Sequence, residues 1–149
     1  MQLSRAAHKL FEDFFCQRGH CNRQDFPEIE IYAKRGSWLI TNLIMVDGIT
    51  FGRYVFVNPG LTERDEKRVL RVSKILIAHE MAHVLQYQRL GFSRFMKSYL
   101  SDFLRIFVKK DKWNLQTWFE SYSEIPHEVE ARRIASEFSV WLKTKETGS

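Results

Sequence analysis

Apolar residues recur at helical spacing in two segments of the chain. In residues 3–16 they stand three or four positions apart behind Ser4, a common helix cap, and Gly19 follows the segment. In residues 92–108 one face is apolar and aromatic, while the opposite face is polar and largely basic. We predict a core-packing helix for each segment. The second pattern also fits a helix that lines a groove or contacts a partner or a membrane surface.

Between these segments the pattern changes to short β-branched and aromatic runs, which are typical of strands. Three such runs cover residues 28–33, 37–47 and 48–60, with turn signals that contain glycine between them. They predict three or four antiparallel strands.

Further helices are predicted after the strands. Thr62 with Asp65 offers the cap of a long helix that ends near Leu90. An irregular aromatic stretch follows the second periodic segment, and Ser123 then caps a last helix with Pro126 in its first turn. The order of elements predicts an α+β fold, in which a small antiparallel or mixed sheet of three to four strands packs on a helix, with further helices C-terminal.

Composition sets limits on size and location. The 149 residues, 44% of them hydrophobic, suffice for one packed domain, predicted to span residues 1–149, and are too few for two. The sequence contains no run long enough to span a membrane and no recognisable signal peptide, so a cytoplasmic location is the default expectation. The chain could also be part of a larger protein or assembly.

Neither the charge nor the cysteines predict a nucleic-acid site or a structural zinc site. The net charge of +5 comes from 23 basic and 18 acidic residues, which is a mild excess. Without aromatic-basic repeats, we expect a solvated surface and no nucleic-acid partner. Cys16 and Cys21 flank His20, but their spacing does not fit a zinc knuckle, so we interpret them as ordinary thiols.

The strongest chemical signal is the sequence H-E-M-A-H at residues 79–83, within an apolar segment. At about 100° per residue, His79 and His83 lie about 40° apart on a helix, so both imidazoles can bind one ion. Glu80 projects beside them and can reach a water bound to that ion. Burying these polar side chains is costly, so a metal that satisfies them is favoured over histidines held by hydrogen bonds alone.

A catalytic zinc site needs a third protein ligand and an open position for water. No histidine follows His83 at the spacing of the extended motif, so carboxylates of the last predicted helix are the candidates. Glu128 and Glu130 lie about 200° apart, so only one can face the metal. The apolar stripe of the helix lies between them, so periodicity does not show which of the two faces the metal. His127 is a further alternative.

The sequence A-H-E-M-A-H, followed at a distance by P-H-E-V-E-A, resembles the gluzincin branch of zinc metallopeptidases, and more closely the compact minigluzincins related to the CAAX-prenyl-protease-like family. The segment G-I-T-F-G-R-Y-V-F-V-N-P-G is similar to the small H-E-x-x-H domain attached to bacterial toxins and injection-system proteins. The resemblance covers roughly residues 48–90 and 124–137. It implies a zincin-like fold and adds a delivered effector or toxin-associated domain to the expected locations.

The resemblance also implies a ligand set. Zn²⁺ would be held by His79, His83 and Glu128, because Glu128 matches the glutamate of the relatives' E-x-x-A-D pattern and Glu130 does not.

The chain departs from that pattern at one position. Arg132 stands where the relatives have a carboxylate. A carboxylate that orients a ligand histidine would then come from elsewhere, and Glu124 and Asp102 are the candidates.

The implied activity is hydrolysis of peptide bonds by a metal-activated water, with Glu80 as general base. Tyr122, His127 and Tyr99 are candidates to stabilise the oxyanion. The strand before the active-site helix, placed at residues 51–57, would be a sheet edge that holds an extended peptide or protein substrate.

Two other functions compete with this one. The first is a zincin-fold domain, weak or inactive as a catalyst, that binds a partner protein or peptide. The second is a DNA-associated protease, suggested by the basic balance. It is less favoured because such enzymes carry a third histidine and a zinc ribbon.

Overall fold

Two packed helices and a small sheet form the centre of the protein. The computed structural model describes residues 2–33, 37, 41, 46–64, 70–110 and 113–147. The α-helices whose bounds are described are α1 Arg5–Gln17, α2 Lys74–Leu90, α3 Phe92–Val108, α4 Leu115–Glu124 and α5 Pro126–Thr147. The strands are β1 Glu30–Tyr32, β2 Gly48–Phe51, β3 Tyr54–Val57, β4 Thr62–Arg64 and β5 Leu70–Val72. The described part of the chain is therefore a mixed α+β structure in which helices predominate.

Strand β3 is the centre of a three-stranded sheet with the order β1-β3-β2. It pairs in parallel with β1, where Ile31 lies opposite Val55, and antiparallel with β2, where Thr50 lies opposite Val55. The sheet is therefore mixed, and the fully antiparallel alternative is wrong. Within the predicted edge at residues 51–57, residues 54–57 form β3, which is hydrogen-bonded on both sides and is not a free edge, while Phe51 belongs to β2. In the described sheet the strand that lies against α2 with an open side is β2.

Much of the predicted second strand lies outside the described residues. Of residues 37–47, the structure describes Ser37, Thr41, Val46 and Asp47, and the first two are helical. The Thr41 hydroxyl donates to the Ser37 carbonyl one turn earlier, a bond that serine and threonine often make in helices. These two residues contradict an extended strand at the start of the segment.

Helix α2 begins later than the sequence pattern predicts. Strands β4 and β5 pair with each other as a separate antiparallel hairpin, in which Thr62 lies opposite Val72. The Ser73 hydroxyl then accepts the Leu76 N–H and caps α2. The predicted start at Thr62 is wrong because that residue pairs across the hairpin. Asp65, the other predicted start residue, lies outside the described residues.

The remaining helices agree with the periodicity in most respects. The Ser4 hydroxyl caps α1, and α3 has the bounds that its pattern predicts. The aromatic stretch is not irregular but forms α4, whose Asn114 side chain accepts the Thr117 N–H. Ser123 lies inside α4 and does not cap the last helix, which begins at Pro126.

Helix α2 is buried on most sides, as its apolar flanks predict. It packs mainly along α5 and also contacts β2 and α3. Aromatic side chains of α1 pack against the buried face of α5, where the Phe14 and Phe138 ring centroids are 5.1 Å apart. The helices that carry the H-E-x-x-H motif and the candidate glutamates are therefore side by side. None of the helices in the described part of the chain has the length and apolar character to cross a bilayer.

Candidate metal centre

The two histidines of the motif converge, as the helical spacing predicts. Their rings lie edge to face on α2, with centroids 4.8 Å apart, and the two Nε2 atoms are 3.2 Å apart. His83 is buried, while His79 is partly exposed. The pair is therefore reached from solvent on the His79 side.

Helix α5 brings a carboxylate to the same place. Glu128 Oε2 lies 3.3 Å from His79 Nε2, and Glu128 Oε1 lies 3.3 Å from His83 Nε2. Each of the three residues offers one ligand atom, and these atoms lie within 4.8 Å of one another. His79, His83 and Glu128, which we call the cluster, are positioned to bind a metal ion.

Glu130, the alternative third ligand, points to other partners. Its carboxylate accepts hydrogen bonds from Gln86 Nε2 at 2.8 Å and from Arg89 Nη2 at 3.0 Å. Sequence periodicity could not choose between the two glutamates. The packing of α5 on α2 directs Glu128, which is 2% exposed, towards the histidines.

Opposite charges attract within the cluster. Burial would lower the pKa of His83, but the Glu128 and Glu80 carboxylates and the Gln86 side chain together outweigh burial and raise that pKa to about 9. Burial would likewise raise the pKa of Glu128, yet hydrogen bonds from His79 and His83 bring it well below its usual value. Glu128 is therefore ionised at neutral pH, which is the form a metal ligand needs.

Glu80 is buried against β2. Its Oε2 accepts a hydrogen bond from Thr50 Oγ1 at 2.7 Å, and a Cβ atom on Gly48 would lie 2.5 Å from Glu80 Oε1. The carboxylate therefore has room because position 48 is glycine. Burial raises the pKa of Glu80, although the nearby His83 and His79 oppose the rise. A buried carboxylate with a raised pKa is suited to accept a proton.

Gln86 orients His83, a role that the sequence pattern does not predict. Its Nε2 donates to Glu130 at 2.8 Å and to the His127 carbonyl at 3.0 Å. The amide oxygen therefore faces His83, with Gln86 Oε1 2.8 Å from His83 Nδ1. When His83 is neutral, this acceptor assigns the proton to Nδ1 and leaves the Nε2 lone pair for a metal.

The carboxylates proposed to orient a histidine lie elsewhere. Glu124 and Asp102 each accept a hydrogen bond at 2.7 Å from a lysine or arginine side chain. Arg132, which departs from the E-x-x-A-D pattern that the sequence resembles, donates to the Ser123 carbonyl. The Gln86 amide takes the orienting position that was assigned to an acid.

Two cavities meet at the cluster. The inner cavity, of about 270 Å³, is bordered by Glu80, Glu128 and Tyr122 and is mainly apolar, with aromatic side chains such as Phe95 and Phe103 in its wall. The outer groove, of about 990 Å³, is more polar and also reaches these three polar residues.

The three candidate oxyanion donors occupy different positions. The Tyr99 hydroxyl donates to Glu128 Oε1 at 2.7 Å and therefore holds that ligand. Tyr122 borders both the inner cavity and the outer groove, and burial raises its pKa, so the hydroxyl stays protonated. His127 borders neither of them, and its Nε2 lies 3.2 Å from Ser98 Oγ. This position favours Tyr122 over His127 as a donor.

Comparisons with protein-family models, with curated proteins and with solved structures found no match for the chain. Its function is therefore inferred from the motif residues and the geometry of the cluster.

Replacing Gln86 by leucine is expected to weaken metal binding by about 10- to 100-fold, because His83 loses the acceptor that fixes its Nδ1 proton. Gln88→Leu is the matched control, since Gln88 lies two residues further along α2 and is exposed. Competition with a chromophoric chelator measures both affinities. Equal metal affinity in the two variants would contradict the orienting role.

Proposed function

We propose that this protein is a zinc-dependent peptidase. The observation that carries the proposal is the spacing of the cluster: the two histidine Nε2 atoms are 3.2 Å apart, and each lies 3.3 Å from a different carboxylate oxygen of Glu128. Zn²⁺ binds histidine nitrogen and carboxylate oxygen at about 2.0–2.2 Å, so ligands of one tetrahedral ion stand roughly 3.3–3.6 Å apart. Two histidines and one glutamate leave the fourth position for water, as in catalytic zinc sites.

Zinc in this position supplies a Lewis acid that lowers the pKa of a bound water and polarises a peptide carbonyl. The Glu80 carboxylate accepts a proton from the attacking water and passes it to the leaving nitrogen as the C–N bond breaks. The raised pKa of Glu80 suits both transfers, because the carboxylate then binds the proton firmly enough to carry it from the water to the nitrogen. The protonated Tyr122 hydroxyl donates a hydrogen bond to the carbonyl oxygen as charge develops there.

The side of β2 that no described strand covers supports a polypeptide as the substrate. The Asp47 carbonyl accepts the Asn58 N–H at 2.9 Å, as part of the β2–β3 ladder. Since hydrogen-bonded pairs alternate in an antiparallel ladder, the backbone groups of Gly48 and Thr50 point away from β3. The Thr50 carbonyl indeed accepts the Tyr87 hydroxyl at 2.9 Å. The other outward groups of Gly48 and Thr50 can pair with an extended peptide that passes the cluster.

Metal analysis combined with a cleavage assay tests the proposal. We expect about one zinc ion per chain and cleavage of an unfolded protein or a mixed peptide library, followed by mass spectrometry. Dialysis against a chelator should abolish cleavage, and added zinc should restore it. Zinc binding without cleavage of any peptide would contradict a peptidase, and saturable binding of uncut peptide would favour a partner-binding domain.

A further inference from the structure

Helix α3 leaves a line of apolar side chains on the surface. Leu100, Leu104 and Val108, which we call the α3 strip, are spaced four residues apart and are 52%, 56% and 62% exposed. In the segment after α3, Trp113 and Leu115 are 72% and 67% exposed. Several large apolar side chains close together in sequence on one surface are characteristic of an interaction site.

A basic edge runs beside the α3 strip. At about 100° per residue, Lys97 and Arg94 lie about 60° and 120° from Leu100, on the same side as the other two residues of the strip. Both are exposed, and neither forms an ion pair with another residue that the structure describes. The acidic residue of α3, Asp102, is paired with Arg105 at 2.7 Å. The exposed half of α3 is therefore apolar along one edge and cationic along the next.

We propose that α3 binds the surface of an anionic lipid bilayer, with the α3 strip in the acyl-chain boundary and the basic edge at the lipid phosphates. A helix that lies in this interface buries leucine and valine, while lysine and arginine extend along their alkyl chains to the headgroups. Trp113 suits the same layer, because indole combines an apolar ring with an N–H donor.

The charges distinguish the bilayer from a second copy of the chain. An antiparallel two-fold contact through the α3 strip would place the two basic edges on the same side, and like charges close together at an interface are unfavourable. An anionic bilayer attracts each basic side chain separately, and the long axis of a helix matches its flat surface.

Binding in this orientation would bring the inner cavity to the bilayer. Leu100 belongs to the α3 strip and also lines the inner cavity, which Glu80 borders as well. The substrates would then be polypeptides held at a membrane surface. This consequence rests on the proposed peptidase function, whereas lipid binding itself involves neither the cluster nor Glu80. Failure of one proposal can therefore be told from failure of the other.

Vesicle sedimentation of the full chain tests the proposal. We expect the protein to sediment with phosphatidylcholine vesicles that contain about a quarter phosphatidylserine, and at least about tenfold less with pure phosphatidylcholine. Leu104→Ser should weaken binding about tenfold through lost apolar burial. The double variant Lys97→Glu with Arg94→Glu should weaken it at least about thirtyfold, since two attractive charges become repulsive.

Matched controls lie on α5. Val140 is 63% exposed, so Val140→Ser controls for loss of an exposed apolar residue, and Lys143→Glu controls for charge reversal at an exposed lysine. Both should bind vesicles like the parent protein, as should Glu80→Gln. Equal binding to neutral and anionic vesicles, or no effect of Leu104→Ser, would overturn the proposal. A dimer that Leu104→Ser dissociates would also overturn it and assign the surface to a second copy.

Discussion

Glu80→Gln is expected to retain its metal and to lose peptide hydrolysis by about 10²- to 10⁴-fold. Glutamine has nearly the same shape and can still accept the Thr50 hydroxyl, which bonds the Glu80 carboxylate at 2.7 Å. It cannot take a proton from water. Because Glu80 is not one of the three residues positioned as ligands, metal content should not change. Peptide cleavage rates and metal analysis on the same preparation check both parts.

The matched control for this variant is Glu63→Gln, at an exposed glutamate on β4. It should cleave peptides at the rate of the parent protein. If Glu80→Gln remained as active as Glu63→Gln, Glu80 could not be the general base. If Glu80→Gln lost its metal as well as its activity, the loss of cleavage would not report on proton transfer. The expectation that Glu80 acts as the base without helping to bind the metal would then be wrong.

Glu128→Gln is expected to weaken metal binding by more than about a hundredfold, which is beyond the effect of residues that only orient a ligand. The variant replaces an ionised carboxylate that lies 3.3 Å from each histidine by a neutral amide. It also leaves the Tyr99 hydroxyl without its charged partner. Calorimetric titration with zinc measures the loss.

Glu130→Gln is the comparison variant on the same helix. Glu130 holds Gln86 and Arg89 and contributes no atom to the cluster, so its replacement should weaken metal binding by at most about tenfold. Full metal binding by both variants would show that neither glutamate is the third ligand. A larger loss in Glu130→Gln than in Glu128→Gln would reverse their assignment.

Features set by neighbouring residues could be predicted from the sequence. His79 and His83 converge because a four-residue step returns to one side of a helix, and the structure has the same arrangement. The bounds of α3 follow from periodicity in the same way. The sequence could place the third ligand on the last helix but could not identify the residue, because the residue that faces the histidines depends on how α5 packs against α2.

Features set by contacts between distant residues could not be predicted. Gly48 looks like part of a turn, since it follows an aspartate, yet it lies in β2 and leaves room for Glu80. Gln86 looks like an ordinary polar residue of α2 until α5 brings Glu130 to its amide. The hairpin that displaces Thr62 from the start of a helix is likewise visible only once β4 and β5 pair. None of these contacts can be predicted from the local conformational preferences of the sequence.

In the proposed zinc peptidase, the position of the cluster on two helices would link metal supply to folding. His83 and Glu128 stand 45 residues apart in sequence, so a shared ion cross-links the chain and closes a loop that contains α3 and α4. A ligand that binds only the native state adds about 2.7 kcal/mol to the free energy of unfolding when its free concentration is about a hundred times Kd. A cell depleted of zinc would hold more of the unfolded, protease-sensitive chain, so metal scarcity would reduce the amount of this protein as well as its activity.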